Sequence, residues 1–276
     1  MDDFANQARV FDGARWDRIT NERDKAKDYV AAPVSPEPDG NGQIFVSIVS
    51  FRDSKRCAKT LKNLFQQAKE PNKVVVGLVD QVNTEDREAT CLEEYCKLMG
   101  KNGITEQCKN TDRVRVIGFF SKAAAGPGVA RALQRKNLAN EEFCLQIDSH
   151  SEFTKDWDAL LKQEWHMANN EYAVISTLPP STASKADFDT GGPKSHQVPR
   201  ICHTSFTSIK IPTFVKQPTG LAERLTKPLL AHAWCAGFSF HKCHLEEFVP
   251  YDYFLPQIFD GEEFPRYARM WTRVSS

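Results

Sequence analysis

Apolar positions change period along the chain, and the changes mark its elements. The run QIFVSIVSF at 43–51 is continuously apolar and β-branched, the pattern of a parallel strand covered on both faces. Over 57–70, Ala58, Leu61, Leu64, Phe65 and Ala68 recur at spacings of three and four, which predicts an amphipathic helix. The alternation continues with strands at 73–82, 113–121, 141–150 and 172–180, separated by helical patterns at 86–99, 129–139 and 156–168. Strands alternating with helices predict an α/β fold, a mostly parallel sheet with helices on both faces. Ligands in such sheets bind beyond the carboxyl ends of the strands.

The flanks read differently. Residues 2–30 scatter Phe4, Val10, Phe11, Trp16 and Ile19 among charges, which predicts a helical arm packed on its own domain or, in a homodimer, on a partner subunit. PVSPEPDGNG at 33–42 reads as a linker. The division is therefore an arm and linker over 1–42 and a catalytic domain over 43–276. Past the fifth strand, 181–200 is a long polar loop with a Gly-Gly-Pro break, and 231–264 mixes aromatics, small residues and acids.

Composition narrows the partners. With 36 basic and 36 acidic residues the formal charge is zero, which leaves no global electrostatic case for nucleic acid or a membrane surface. A small molecule or a protein fits better. The amino terminus is charged without an apolar signal core, and no run approaches the roughly 18 apolar residues of a membrane span. That predicts a soluble cytoplasmic protein whose eight cysteines are free thiols. Cys235, His241, Cys243 and His244 cluster in sequence, but their spacing fits no usual zinc pattern.

Four stretches carry candidate chemistry. LQIDSH, 145–150, ends an apolar strand in a carboxylate and an imidazole two residues apart. Side chains at i and i+2 of an extended segment point the same way, so Asp148 and His150 converge as half of a divalent-metal site. The alternative is a helix cap followed by a surface histidine. GPG at 126–128 opens a helix carrying Arg131 and Arg135, a setting that attracts phosphate, although G-P-G is foremost a turn. FDGEEF, 259–264, encloses Glu262 and Glu263 between phenylalanines, where carboxylates acquire perturbed pKa values; a solvated helix start is the plainer account. SFRD, 50–53, places Ser50, Arg52 and Asp53 at a strand's carboxyl end, fit either to receive a nucleotide or to form an ordinary turn with Asp53 as helix cap.

Taken in order, SFRD, GPGxxR, LQIDSH, WCAGFSF and PYDYFLPQIFDGEE resemble one family over about residues 43–273. They are similar to the cytoplasmic polypeptide N-acetylglucosaminyltransferases that modify hydroxyproline on the adaptor subunit of cullin-type ubiquitin ligases. The resemblance implies a glycosyltransferase A-type (GT-A) fold, a UDP-GlcNAc donor, Mn²⁺ or a similar ion, and retention of anomeric configuration. It carries over Asp148 and His150 as the metal-binding pair, Arg131 as the helix arginine of the donor site, and Glu262 and Glu263 as the G-E-E acids, which we place on the acceptor side to orient the acceptor or a sugar hydroxyl. Two side chains cannot complete a six-coordinate shell, and His241 or His244 is the candidate third ligand. The chain departs from the family's W-T-R-G at its end, where it reads WTRVSS. Two rival readings are a metallophosphoesterase, whose further G-N-H motif the chain lacks, and a UDP-sugar-binding domain without turnover.

Overall fold

The apolar run that begins at residue 44 lies in the middle of the molecule. The computed structural model describes residues 9–11, 16–18, 40–83, 85–101, 108–192, 197–199, 204–208, 210, 212–214, 221–223, 225–231, 233–259 and 261–274. In chain order the main elements are β1 (Ile44–Phe51), α1 (Ser54–Gln67), β2 (Val74–Val82), α2 (Cys91–Leu98), β3 (Val114–Phe120), α3 (Pro127–Gln134) and β4 (Phe143–Asp148). They continue with α4 (Trp157–Met167), β5 (Ile175–Ser176), α5 (Lys185–Thr190), β6 (Phe238–Lys242), α6 (Leu245–Phe248) and α7 (Glu263–Val274). The strands form one sheet in the order β3-β2-β1-β4-β6-β5. The first four are mutually parallel, and β6 runs antiparallel to both β4 and β5.

Burial explains the patterns. One sheet face presents Ile44, Val46 and Ile48 of β1 beside Val74, Val76 and Leu78 of β2 and Phe143, Leu145 and Ile147 of β4. Against it pack Cys57, Ala58, Leu61 and Leu64 of α1, Tyr95 of α2, and Trp157 and Trp165 of α4. Each fully buried Leu, Ile or Phe removes enough apolar surface from water to contribute about 1.5–3 kcal/mol. The opposite face carries Phe45, Val75 and Cys144 under α3. Gly77 is required there, because a Cβ would sit 2.2 Å from the Phe45 ring. Gln134 of α3 donates to the Ile48 and Gly77 carbonyls at 2.6 and 3.0 Å, so a buried amide fastens this helix to both central strands.

Helix starts follow local chemistry. Thr90 and Glu93 form a reciprocal capping box on α2. Gly126, at φ +95°, lets the chain turn into Pro127 of α3, and a side chain there would also meet the Gln257 backbone at 3.2 Å. Gln257 N–H donates to the Ala125 carbonyl at 2.7 Å, so the 250–259 segment crosses directly over the start of α3.

Several expectations change. The cysteines are not all free: Cys57–Cys91, Cys96–Cys108 and Cys144–Cys243 are disulfides, with Cα separations of 5.6, 5.6 and 4.9 Å. Those separations lie within the range a disulfide spans, and the pairs staple α1 to α2, α2 to residue 108, and β4 to the end of β6. Cys235 is free and buried, and Cys202 lies outside the described residues. With Cys243 bonded to Cys144, the Cys235–His244 cluster cannot act as a zinc set. The arm expected as a helix falls mostly outside the described residues. Its described pieces, Arg9–Phe11 and Trp16–Arg18, pair as antiparallel strands, in keeping with the β preference of Val10, Phe11 and Trp16. The polar stretch at 181–200 is not all loop, since Thr182–Ser184 and α5 are helical. The strand expected over 172–180 shortens to Ile175–Ser176, at the sheet edge, where β6 is its one neighbour among the described residues.

Alkylating the unfolded, unreduced protein is expected to leave these six cysteines unmodified while labelling Cys235. Replacing Cys144 and Cys243 together by Ala, which opens a 99-residue separation, should cost about 2–4 kcal/mol in denaturant unfolding. Labelling of all six without reductant would remove the disulfides.

Candidate active site

β1 and β4 are parallel neighbours, yet the chain leaves β1 toward β2 and returns to β4 only after β3 and α3. Connections that diverge at such a point leave a crevice outside the carboxyl ends of the two strands. A cleft of about 1360 Å³ occupies it. Its floor includes Val49 and Phe51 of β1, Asp53 beyond it, and Ile147 to Phe153 at the end of β4 and beyond, and its far wall includes 177–182, Lys185, Phe188, 234–238, Glu262 and Glu263.

Asp148 and His150 both line this cleft, and their side chains are 46% and 50% exposed, so each can reach a ligand from solvent. Gly237 lies against the other side of Asp148, where a Cβ would stand 3.1 Å from Oδ2. A carboxylate and an imidazole at one strand end suit Mn²⁺ or a similar ion, with remaining positions left to water and ligand oxygens. Among the described residues no group of three or more His, Cys, Asp or Glu side chains forms a closed metal cage. Neither expected third ligand reaches the cleft. His241 is buried with Nε2 3.3 Å from Glu246, and His244 lies 3.2 Å from Glu171. Antiparallel pairing places His241 opposite Cys144, well back along β4 from Asp148, which is why nearness in sequence misled.

Arg131 is buried and enters the cleft from α3. Its Nη1 donates to Glu262 Oε1 at 2.6 Å, and its Nη2 lies 3.5 Å from Asp148 Oδ1. Burial alone would lower its pKa, but Tyr251, Glu262 and Asp148 outweigh that and raise it, so the guanidinium stays charged. Arg135 is exposed and does not line the cleft, so two arginines do not face a ligand together. Burial lifts the Glu262 carboxyl above the ordinary carboxylate range against the pull of Arg131, with Glu263 and Asp148 adding to the rise. Its Oε2 is buried with no hydrogen-bond partner among the described residues. Glu263 has a structural task as well, accepting from the Ala236 N–H at 2.9 Å. Asp260, the third acid of FDGEEF, lies outside the described residues.

The SFRD turn divides. Asp53 lines the cleft, accepting from Ser149 Oγ at 2.7 Å and from Arg56 Nε at 2.6 Å. Ser50 does not, because it continues the even-numbered face of β1 and is fully buried beside Asp80. Arg52 turns outward at φ +50° and lies 3.5 Å from both Asp86 and Glu88. Trp234 and Gly237, read from sequence only as part of WCAGFSF, also line the cleft, as does Cys235, which the sequence grouped with His241, Cys243 and His244 instead. Burial, with Glu263 and Asp148 nearby, pushes the Cys235 thiol up to about 11, so it is protonated near neutrality.

The model of the glycosyltransferase (GlcNAc) family matches residues 43–110 and 95–274. No curated protein matches the sequence. Among solved structures, GalNAc-T7 with UDP, GalNAc and Mn²⁺ superposes with a TM-score of 0.55 at 16% identity, over 84% of this chain and 41% of that one. The chain thus spans less than half the length of that relative, and the likeness is one of fold: a GT-A-type α/β domain. S. aureus TarS 1–349 with UDP-GlcNAc gives a TM-score of 0.32 at 22% identity, over 45% of this chain and 32% of that one. The mannosyltransferase PcManGT from Pyrobaculum calidifontis with GDP-Man and Mn²⁺ gives 0.36 at 13%, over 56% and 41%.

The Arg131–Glu262 pair is buried on both sides, and removing one partner of such a pair strands the other's charge. Arg131→Met is therefore expected to destabilise by about 3–5 kcal/mol. Adding Glu262→Gln should recover much of that loss in denaturant unfolding. Simple additivity of the two changes would show that the groups are not coupled.

Proposed function

The chain belongs to the glycosyltransferase (GlcNAc) family, and from that premise we propose that it moves N-acetylglucosamine from UDP-GlcNAc to a polypeptide hydroxyl, with retention and with Mn²⁺ or a similar ion. The observation that carries this reading is the gathering of Asp148, His150, Arg131, Glu262 and Glu263 around one cleft at the switch point of the sheet. Hydroxyproline is the favoured acceptor, and it rests on the sequence resemblance. The three disulfides weigh against the cytoplasm and hence against a ubiquitin-ligase adaptor as target, because such bonds persist in oxidising compartments. Among the described residues no helix is long and apolar enough to cross a membrane. The homodimer expected of the 1–42 arm stays a proposal, tested by the solution mass of the full chain against a 43–276 fragment.

In this reading Asp148 and His150 would hold the ion, which when bound would supply Lewis-acid stabilisation of charge on the leaving diphosphate. Arg131, fixed in direction by Glu262, adds a second positive charge on the same side of the cleft. A retaining transfer lets the acceptor hydroxyl approach beside the departing diphosphate, whose own oxygen can take the proton. No side chain has to serve as general base. Glu262 orients a hydroxyl of the acceptor or the sugar through Oε2, which has no hydrogen-bond partner among the described residues. Glu263 acts through the 234–237 turn that it holds, and so affects the wall of the cleft rather than the reacting atoms.

Incubation with a panel of UDP-sugars and Mn²⁺ should release UDP from UDP-GlcNAc and faster with a hydroxyproline peptide; no release from any donor, with or without peptide, would end the enzymatic reading. Asp148→Ala should abolish most turnover while leaving thermal unfolding nearly unchanged. Glu262→Gln should slow transfer by about 10²-fold with little change in UDP-sugar affinity, and a parallel loss of donor affinity would move Glu262 to the donor side.

A further inference from the structure

Asp53 occupies the N-cap position of α1 but does not cap it. Its backbone lies at φ −131° and ψ 28°, and its side chain makes no capping hydrogen bond. An Asp at this position normally accepts from the first-turn amides and contributes about 1 kcal/mol. Here one carboxylate oxygen is held within the first turn of α1 and the other turns toward the strand end of β4. Oδ1 accepts from Arg56 Nε at 2.6 Å and Oδ2 from Ser149 Oγ at 2.7 Å. The same Oδ2 lies 3.8 Å from His150 Nδ1, within ion-pair reach and about 1 Å longer than a closed hydrogen bond. The carboxylate is itself only 14% exposed, so its position is set by these partners rather than by solvent.

We propose that Asp53 is the positioning residue of the metal site: it takes the Nδ1–H of His150, fixes that tautomer, and leaves Nε2 as the ligand atom. A histidine ligand almost always donates its second ring N–H to an oxygen partner, which orients the ring and raises the basicity of the bound nitrogen. Ser149 completes the arrangement. As the residue between the two ligands, it is buried and spends its hydroxyl on Asp53, so the turn carrying Asp148 and His150 is tied across the crevice to the loop after β1. One carboxylate thereby joins the two strand ends that form the switch point. Asp53 is accordingly a support for the metal and not a contact to the nucleotide. The inference rests on the assignment of Asp148 and His150 to the metal.

The test is direct Mn²⁺ titration of the full chain, followed by the electron paramagnetic resonance signal of the free ion. Asp53→Asn keeps size and is as good a helix cap, so the fold should survive. Mn²⁺ affinity is expected to fall by about 10–100-fold, and in turnover the Mn²⁺ concentration for half-maximal rate should rise while kcat at saturating Mn²⁺ recovers. UDP binding in EDTA should be unchanged. Ser149→Ala, which removes only the Ser149–Asp53 bond, should weaken Mn²⁺ binding in the same direction by a smaller factor. Unchanged Mn²⁺ affinity in Asp53→Asn, with a loss in His150→Ala, would overturn the inference alone. A loss of metal-free UDP binding in Asp53→Asn would overturn it too, by making Asp53 a nucleotide contact. Unchanged affinity in His150→Ala would overturn the metal assignment beneath it.

Discussion

A guanidinium inside a protein needs acceptors on every side, and Arg131 meets that demand in a way that orders the rest of the site. It comes from α3, in the first half of the chain, and its nearest partner is Glu262, 131 residues on. Behind it the Tyr251 ring lies 6.0 Å from the Arg131 guanidinium and 4.1 Å from that of Arg266, a second buried arginine. Arg266 in turn donates to Glu246 at 2.6 Å and to the Val249 carbonyl at 2.5 Å. Glu246 also faces His241 of β6, and Arg266 with His241 overcomes the effect of burial to hold its carboxyl down at about 2. A run of paired charges and aromatic faces therefore reaches from β6 through α7 to the cleft. Low-dielectric surroundings strengthen each of these contacts and make each unpaired group costly, so the segments that bear them are fixed together.

The location of the cleft follows from connectivity more than from any one side chain. β1 is central because it pairs with β2 on one edge and β4 on the other. The chain's departure to β2 and late return to β4 separate the loops beyond Phe51 and Asp148. α1 begins at one loop and the D-S-H turn lies at the other, which brings Asp53 within reach of Ser149, 96 residues away. The later segments close the far side: β6 enters antiparallel beside β4, and the 234–237 turn before it meets Asp148 and Glu263.

Much of this was legible in the sequence because burial on two faces leaves a continuous apolar run, and β1, β2 and β4 each do so. The D-S-H ending was legible for the same reason, as a polar pair is conspicuous after Leu145–Gln146–Ile147. What was illegible depends on distance along the chain. No local pattern pairs Arg131 with Glu262, or Cys144 with Cys243. The cysteine reading leaned on compartment, and compartment says nothing about which cysteines the fold brings to a Cα separation of 5.6 Å. Ser50 and Asp53 also looked equivalent in SFRD. Strand alternation separates them, since Ser50 keeps the even-numbered inward face, whereas Asp53 lies past the strand and is free to turn into the crevice. Gly237 carried a faint signal, a glycine between small and apolar residues, but its reason is the Asp148 carboxylate beside it.

A metal-ready strand end must be held firmly while its terminal groups stay open, and β4 meets both conditions by different means at its two ends. Its amino-terminal part is covered on both edges by β1 and β6, stacked through Phe143 on Phe240 at 5.2 Å, and joined to the end of β6 by Cys144–Cys243. At its carboxyl end the backbone is still paired, Asp148 with Val49, but the terminal side chain has lighter restraint. The Asp148 carboxylate lies 3.5 Å from Arg131 through Oδ1, while Oδ2 faces Gly237, where a Cβ would stand 3.1 Å away. A Cβ at 237 would crowd Asp148 Oδ2 at 3.1 Å, and the carboxylate would have to give way by a few tenths of an ångström. The smallness of residue 237 and the length of the Arg131 contact thus serve the same end: Asp148 is placed by its strand, yet its oxygens remain available to whatever enters the cleft.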